Sequence, residues 1–353
     1  MLETLIDRYG DGAVLALAGA IVGVLFGAMA QHSRFCLRAA SVEVSEGLFG
    51  PRLYIWLIAF SAAVASVQGM IVLGWLDVTA SRQLSTPGSM SGAIIGGLMF
   101  GCGMILARGC ASRLLVLSAT GNLRAIVTGL ILTLVAQASL RGFLTPLREA
   151  LAALWVIPGG AARDMLAQLG LSSGVAAVLA TVALIASLML AGRHHVGPTR
   201  AAAAAGVGFA VGLGWMMTYL IAQTSFEVVE ISSVTFTGPS TDTLMGLVNS
   251  TELPWSFGLG LVPGVFFGAG VMALSAREFK IERFGPDSPM ERYLIGAVLM
   301  GFGSMLAGGC AVGAGMSGGS VFAVTAWLAV FCMWIGAMVT HRILMLERRV
   351  KAA

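Results

Sequence analysis

Nine apolar stretches, each free or nearly free of charge, recur along the chain at about 13–30, 53–75, 90–107, 124–140, 174–191, 202–223, 255–276, 293–308 and 320–340. A bilayer core takes about 20 apolar residues per helical span, and only helices or closed barrels satisfy every backbone group inside it. The pattern predicts an all-α polytopic membrane protein of about nine transmembrane helices. Of the 353 residues, 57% are hydrophobic and 11% charged, against roughly 45–50% and about 25% in soluble domains. A soluble enzyme is excluded, nothing points to nucleic acid, and 1–353 reads as one transmembrane domain in a lipid bilayer. Met1–Gly12 sets Glu3, Asp7 and Asp11 against a single Arg8, which is not the basic start of a cleaved signal, so Ala13 onward reads as a retained first span.

The net charge of +4 matters through its placement, because Lys and Arg collect on the cytoplasmic side of membrane proteins. Alternating the nine spans puts Arg8, Arg82, Arg141, Arg148 and Arg163 on the N-terminal face and the other sixteen of 21 basic residues opposite. The expected orientation is N-terminus outside and Arg348-Arg349-Val350-Lys351 in the cytoplasm, in a bacterial inner (plasma) membrane. Leu151–Ile157 is too short to span and precedes Pro158-Gly159-Gly160, so it reads as an interfacial helix. Thr224–Leu253, with four acidic and no basic residues, reads as an external loop.

Residues 96–111, GGLMFGCGMILARGCA, lie over 296–311, GAVLMGFGSMLAGGCA, with half of the sixteen positions identical at an offset of 200. The shared residues are Gly96/Gly296, Gly101/Gly301, Gly103/Gly303, Leu106/Leu306, Ala107/Ala307, Gly109/Gly309, Cys110/Cys310 and Ala111/Ala311. As third and eighth spans these segments run oppositely through the membrane. The expected architecture is two inverted four-helix repeats, about 13–145 and 201–345, joined by a connector at about 146–200. Inverted repeats are common in secondary transporters, where interrupted helices mark a site near the midplane. The stretch Val312-Gly313-Ala314-Gly315-Met316-Ser317-Gly318-Gly319 is too glycine-rich for a continuous helix, and broken backbone at membrane depth must be buried in protein or line a cavity. Re-entrant or broken helices are thus expected at both Gly-Cys motifs; close packing of helices through small residues accounts for the same glycines.

Cys36, Cys102, Cys110, Cys310 and Cys332 form no CxxC or zinc spacing, so neither a metal nor a cofactor is indicated. Cys102 and Cys332 read as small buried hydrophobes. Cys110 and Cys310, with Gly109 and Gly309, sit at the expected breaks, and Cys36 lies where Gln31-His32-Ser33-Arg34 interrupts apolar sequence. Thiols so placed form a sulfur-lined path that hands on a soft anion by S–H contacts, or attacks sulfur as thiolate. His32 is four residues from Cys36, one turn away if the helix continues. Arg34, Arg38, Arg108 and Arg113 flank two of the thiols, with forks suited to oxyanions; snorkelling at a cytoplasmic interface suits them equally. Ser112 and Ser317, beside the two motifs, complete the candidate set.

Ser33-Arg34-Phe35-Cys36, the block Leu106–Arg113 with Gly121-Asn122-Leu123-Arg124, and Leu299–Gly303 through Gly309-Cys310 resemble the YeeE/YedE family of sulfur-transport membrane proteins over nearly the whole chain. Val234–Pro239, and Gly268-Ala269 followed by Arg277-Glu278-Phe279, are similar to one branch. The resemblance implies an hourglass-shaped thiosulfate uptake protein, not an enzyme, in which Cys36, Cys110 and Cys310 pass the substrate by S–H contacts and a small cytoplasmic sulfur-carrier protein receives it. Ser112-Arg113 stands where many members carry Gly-His, and Ala314 where a bulkier polar residue is common. A sulfurtransferase working through a cysteine persulfide, and a carrier of another sulfur or selenium compound, are the alternatives. Nearly all seventeen Asp and Glu fall outside the spans, which favours a channel-like facilitated pathway over proton or sodium coupling.

Overall fold

The computed structural model describes residues 2–249, 255–283 and 290–352. The rest of the expected external loop, 250–253, lies outside the described residues, as do the side chains of Arg348, Arg349 and Lys351. Among the described residues the only strands are two two-residue pieces; nearly everything else is helix.

A short amphipathic α1 (Leu2–Tyr9) leads into α2 (Asp11–Ser33), which is followed by α3 (Leu37–Ser45), α4 (Pro51–Val72), the single turn α5 (Arg82–Ser85), α6 (Met90–Leu106), α7 (Ala111–Ala119) and α8 (Leu123–Arg141). Then come α9 (Thr145–Ala153), α10 (Met165–Leu169), α11 (Ser173–Arg193), α12 (Pro198–Thr224), α13 (Thr237–Asn249), α14 (Phe257–Ser275), α15 (Met290–Leu306), a π-helical turn over Gly313–Gly318, and α16 (Val324–Ala352). All nine apolar stretches are helical. Eight segments are long and apolar enough to cross a membrane; the remaining stretch forms α15, which has 17 residues and lies against α6.

Packing comes in matched pairs. α2 packs on α14 as α12 packs on α4; α6 packs on α16 as α15 packs on α8; α2 meets α12 and α6 meets α15. The short helices follow suit, α3 lying against α4 and α16, and α13 against α14 and α8. The α2–α14 contact is a glycine zipper: a Cβ on Gly19, Gly23 or Gly27 would run into the backbone of Phe257, Leu261 or Val265, and one on Gly260, Gly264 or Gly268 into that of Ala16, Ala20 or Val24. Inside a bilayer, where lipid is as apolar as the helix surface, such backbone approach is what drives association. At the α6–α15 crossing Gly96 lies against Gly303 and Gly103 against Gly296, so these helices run antiparallel. Both readings of the glycines therefore hold in part: those within the helices serve close packing, and after Leu306 the left-handed Gly308 breaks the chain.

Two loop expectations are corrected. The short helix of this stretch comes earlier, at Thr145–Ala153, and Val156–Ile157 instead pairs antiparallel with Gly88–Ser89. The stretch after Thr224 is not an external loop throughout. Phe226 and Val228 are fully exposed, but Val234, Phe236, Thr237 and Thr241 are buried, Phe236 packs on Phe26 with ring centroids 5.1 Å apart, and α13 continues the chain inward. Val234 and Phe236 are apolar within a polar segment, and burying them beside α2 repays the dip into the core.

Charged contacts gather at two ends. At one, Arg34 pairs with Glu278 at 2.9 Å, Arg124 with Glu282 at 3.2 Å and His341 with Glu46 at 3.0 Å. At the other, Arg82 lies 3.5 Å from Glu230, and buried Arg163 donates to the Thr325 hydroxyl (2.7 Å) and the Thr86 carbonyl (2.8 Å).

Candidate functional site

Each of the three cysteines follows a helix that stops in the same way. α2 ends on Arg34 at φ 57°, α6 is followed by Arg108 at φ 56°, and α15 by Gly308 at φ 78°. One left-handed residue closes the preceding helix, and two residues later an extended cysteine opens the next element: Cys36 is the N-cap of α3, Cys110 the N-cap of α7, and Cys310 precedes the π turn. Arginine at a left-handed position is uncommon, so a non-glycine helix break at Arg34 and Arg108 is invisible to a search for glycine. The intervening Gly109 and Gly309 have packing reasons. A Cβ on Gly309 would meet the Ala314 nitrogen at 2.9 Å and one on Gly109 the Leu114 side chain at 3.3 Å, because the following turn folds back against them.

The structure brings Cys36 and Cys110 together: the two thiols are close enough to influence each other, and both are buried. Two nine-residue helices thus point their N-termini, and the partial positive charge there, at one pair of sulfurs. The Cys110 sulfur also lies 3.3 Å from the Ser112 hydroxyl. Around them runs a polar chain in which the Arg113 guanidinium donates to Gln31 Oε1 at 3.4 Å, Gln31 Nε2 to Glu278 at 2.8 Å, and Arg34 to the other Glu278 oxygen at 2.9 Å. Arg38 and Arg113 are within electrostatic reach of Cys36. Arg34 and Arg108 stand exposed at the rim. His32 is not one turn from Cys36, because α2 stops at Ser33 and the chain turns at Arg34.

Cys310 is not with the other two. Antiparallel packing puts Ala307 beside Gly96 and Ala107 beside Gly296, and about 16 Å of helix rise separates Gly96 from Ala107. Cys310 therefore lies toward the end that holds Arg82 and Arg163, and Cys110 toward the end that holds Arg34 and Glu278. The Cys310 sulfur accepts from the Gly313 N–H at 3.5 Å. The π turn is held from several sides: the Ser317 hydroxyl donates to the Val234 carbonyl (2.6 Å), Gln68 Nε2 to the Ser320 carbonyl (2.8 Å) and Trp327 Nε1 to the Gly319 carbonyl (3.2 Å). Ser317 thus ties the turn to the inward-dipping segment. Cys102 and Cys332 lie on the α6–α16 contact, Cys102 donating to the Gly336 carbonyl at 3.7 Å and Cys332 packing on Gly97.

Paired half-helix N-termini bearing thiols, set among apolar spans, suit the handling of a small polarizable anion, and the sequence was compared with known proteins on that basis. It matches the Sulphur transport family over residues 32–339, which takes in all three cysteines, every break and both halves of the packing. The chain belongs to the sulphur transport family. Among relatives, it is 30% identical over 333 residues to the thiosulfate transporter TsuA of Spirochaeta thermophila, covering 88% of this chain and 93% of that one. It is 26% identical over 349 residues to the thiosulfate transporter TsuA of Escherichia coli strain K12, covering 91% and 92%. The chain is a multi-pass membrane transport protein of this family. Gln31 and Glu278, which link Arg34 to Arg113, were no candidates in the sequence. They are 247 residues apart, and only the α2–α14 zipper brings them together.

Proposed function

We propose that this protein imports thiosulfate across the bacterial inner membrane, N-terminus outside and C-terminus in the cytoplasm, as two inverted repeats at about 13–145 and 201–345 around a connector at about 146–200. The observation that carries the reading is the placement of Cys36 and Cys110 as neighbouring buried thiols at the N-termini of α3 and α7, in a chain of the sulphur transport family. Matched packing of the two halves and the antiparallel α6–α15 crossing support the repeat. The excess of basic residues at the Cys36–Cys110 end supports the orientation, since that end gathers Arg34, Arg108, Arg124 and Lys280.

In this reading thiosulfate meets Cys310 at the outer end, then Cys110 and Cys36 at the inner end, before a small cytoplasmic sulfur-carrier protein takes it. A thiol is a weak donor and acceptor, so it gives the terminal sulfur a contact without holding it long. Gly109 and Gly309 let each turn fold tightly enough to present its sulfur. Ser112 orients Cys110, Ser317 fixes the turn beside Cys310, and Arg113 and Arg108 raise the local concentration of anion. Consumption of substrate inside drives the flow.

Growth on thiosulfate as sole sulfur source, in a host without its own uptake, tests this. Cys110→Ser and Cys310→Ser are each expected to abolish growth while the protein remains in the membrane; full uptake by both variants would overturn the thiol path. A persulfide persisting on Cys110 or Cys310 after incubation with thiosulfate, seen by mass spectrometry, would favour the sulfurtransferase instead.

A further inference from the structure

Two arginines near the thiol pair are short of counter-charge. Arg38, at the second position of α3, has its Nε buried without a hydrogen-bond partner and makes no ion pair with the described residues. The charges around it are the Cys36 sulfur, two further cations, Arg108 and Arg52, and the Tyr293 hydroxyl. Arg113 reaches Gln31 by one long bond of 3.4 Å and shares Glu278, its one acidic neighbour, with Arg34. Uncompensated buried charge is costly and calls for a partner. The other end also holds a buried arginine whose Nε lacks a partner, Arg163, but its remaining N–H groups are taken up by the Thr325 hydroxyl and the Thr86 and Arg82 carbonyls. At the offset of 200 that aligns Cys110 with Cys310, the positions matching Arg34, Arg38, Arg108 and Arg113 are Val234, Gly238, Gly308 and Gly313, and among the described residues the one hydrogen bond to the Cys310 sulfur comes from the Gly313 N–H.

We propose that Arg38, with Arg113, makes the Cys36–Cys110 end a binding station for a small dianion with a soft sulfur at one end and a sulfonate at the other, and that Cys310, with no arginine at the matching positions, is a weaker station. The inference rests on the thiosulfate reading above and adds the residues that select the oxyanion and the inequality of the two ends. Guanidinium forks match sulfonate oxygens, while the paired thiols take the terminal sulfur. An anion leaving Cys310 for the arginine-lined thiol pair moves downhill, so the asymmetry fills the station next to the cytoplasm first.

Substrate protection of cysteines from a small alkylating reagent, read site by site by mass spectrometry on purified full-length protein, tests it with thiosulfate and with sulfate as probes. In the unaltered protein thiosulfate is expected to protect Cys36 and Cys110 at lower concentration than Cys310, and sulfate, which has the oxyanion without the soft sulfur, to compete at Cys36 and not at Cys310. Arg38→Gln should raise the thiosulfate concentration needed at Cys36 by about ten- to a hundredfold, the range expected for a lost charged hydrogen bond, leave Cys310 unchanged, and be partly rescued in Arg38→Lys. Equal protection of Cys36 in wild type and Arg38→Gln, or sulfate competition equal at Cys36 and Cys310 in wild type, would overturn the inference and leave thiosulfate transport standing. Absence of thiosulfate protection at all three cysteines would overturn the transport reading and this inference together.

Discussion

Glu278 is the carboxylate hydrogen-bonded into the polar chain around the thiols, and its partners set its charge. The Arg34 guanidinium donates to it at 2.9 Å and Gln31 at 2.8 Å, which holds its carboxyl below the usual carboxylate range. A depressed value means that its stabilising contribution is present above the ordinary value of about 4.3 and is lost only as the pH falls through the lower folded one. From pH ~5 to 8 Glu278 therefore stays ionised and offsets part of the positive charge on Arg34 and Arg113. Glu278→Gln keeps a hydrogen-bond acceptor and removes the charge. Thiosulfate binding at low salt is expected to tighten by roughly two- to fivefold, with the gain fading near 1 M salt as screening shortens to about 3 Å. Titration calorimetry of both proteins at two salt concentrations checks this, and a variant that binds more weakly at low salt contradicts it. Wild type should converge on the variant only in acid well below pH 4.3.

At the scale of elements, glycines in spans divide into those that touch a facing backbone and those that touch nothing. A side chain on Gly23 would strike the Leu261 carbonyl in α14, whereas Gly69 of α4 has no atom within 4 Å of where its Cβ would stand. A backbone cannot swing aside as a side chain can, so Gly23→Ala should cost about 1–3 kcal/mol and Gly23→Leu should deplete the folded protein. Gly69→Ala should be neutral or stabilising by up to about 1 kcal/mol, through helix propensity. Thermal unfolding in detergent, followed by size-exclusion, separates the two; equal loss at both sites would mean that the zipper does not hold α2 to α14. The spans themselves were legible in the sequence because the bilayer imposes length and polarity on every one of them. The breaks were half legible. Gly308-Gly309 announces one, but at Arg34 and Arg108 the left-handed turn is carried by arginine, which only the coordinates reveal. The buried run Val234–Thr237 is hidden in the sequence because its flanks are acidic and polar, and what holds it inward is the Phe26 ring and the Ser317 hydroxyl, both distant in sequence.

For the molecule as a whole, two separate observations bear on direction. In the repeat proposed above, the offset of 200 relates helices that cross antiparallel at Gly96/Gly303 and Gly103/Gly296, so whatever one half presents to one side, the other half presents to the opposite side. Charge then breaks that equivalence, because Arg34, Arg38, Arg108 and Arg113 have uncharged counterparts. The sequence shows the matched motifs at that offset and the unequal distribution of the 21 basic residues. It did not reveal that two thiols share one end and the third stands apart, since that depends on how far α6 and α15 slide past each other. Positive charge is retained on the cytoplasmic face during insertion, so the Cys36–Cys110 end should face inward. Single cysteines placed in a chain whose five native cysteines are serine test it: Glu227→Cys, on the exposed loop after α12, should react with a membrane-impermeant maleimide in intact spheroplasts. Arg193→Cys, at the exposed end of α11, should react only after permeabilisation. The reverse pattern would put Cys310 on the cytoplasmic side, and the cationic station would then load from outside and impede release rather than receive the anion at the end of its path.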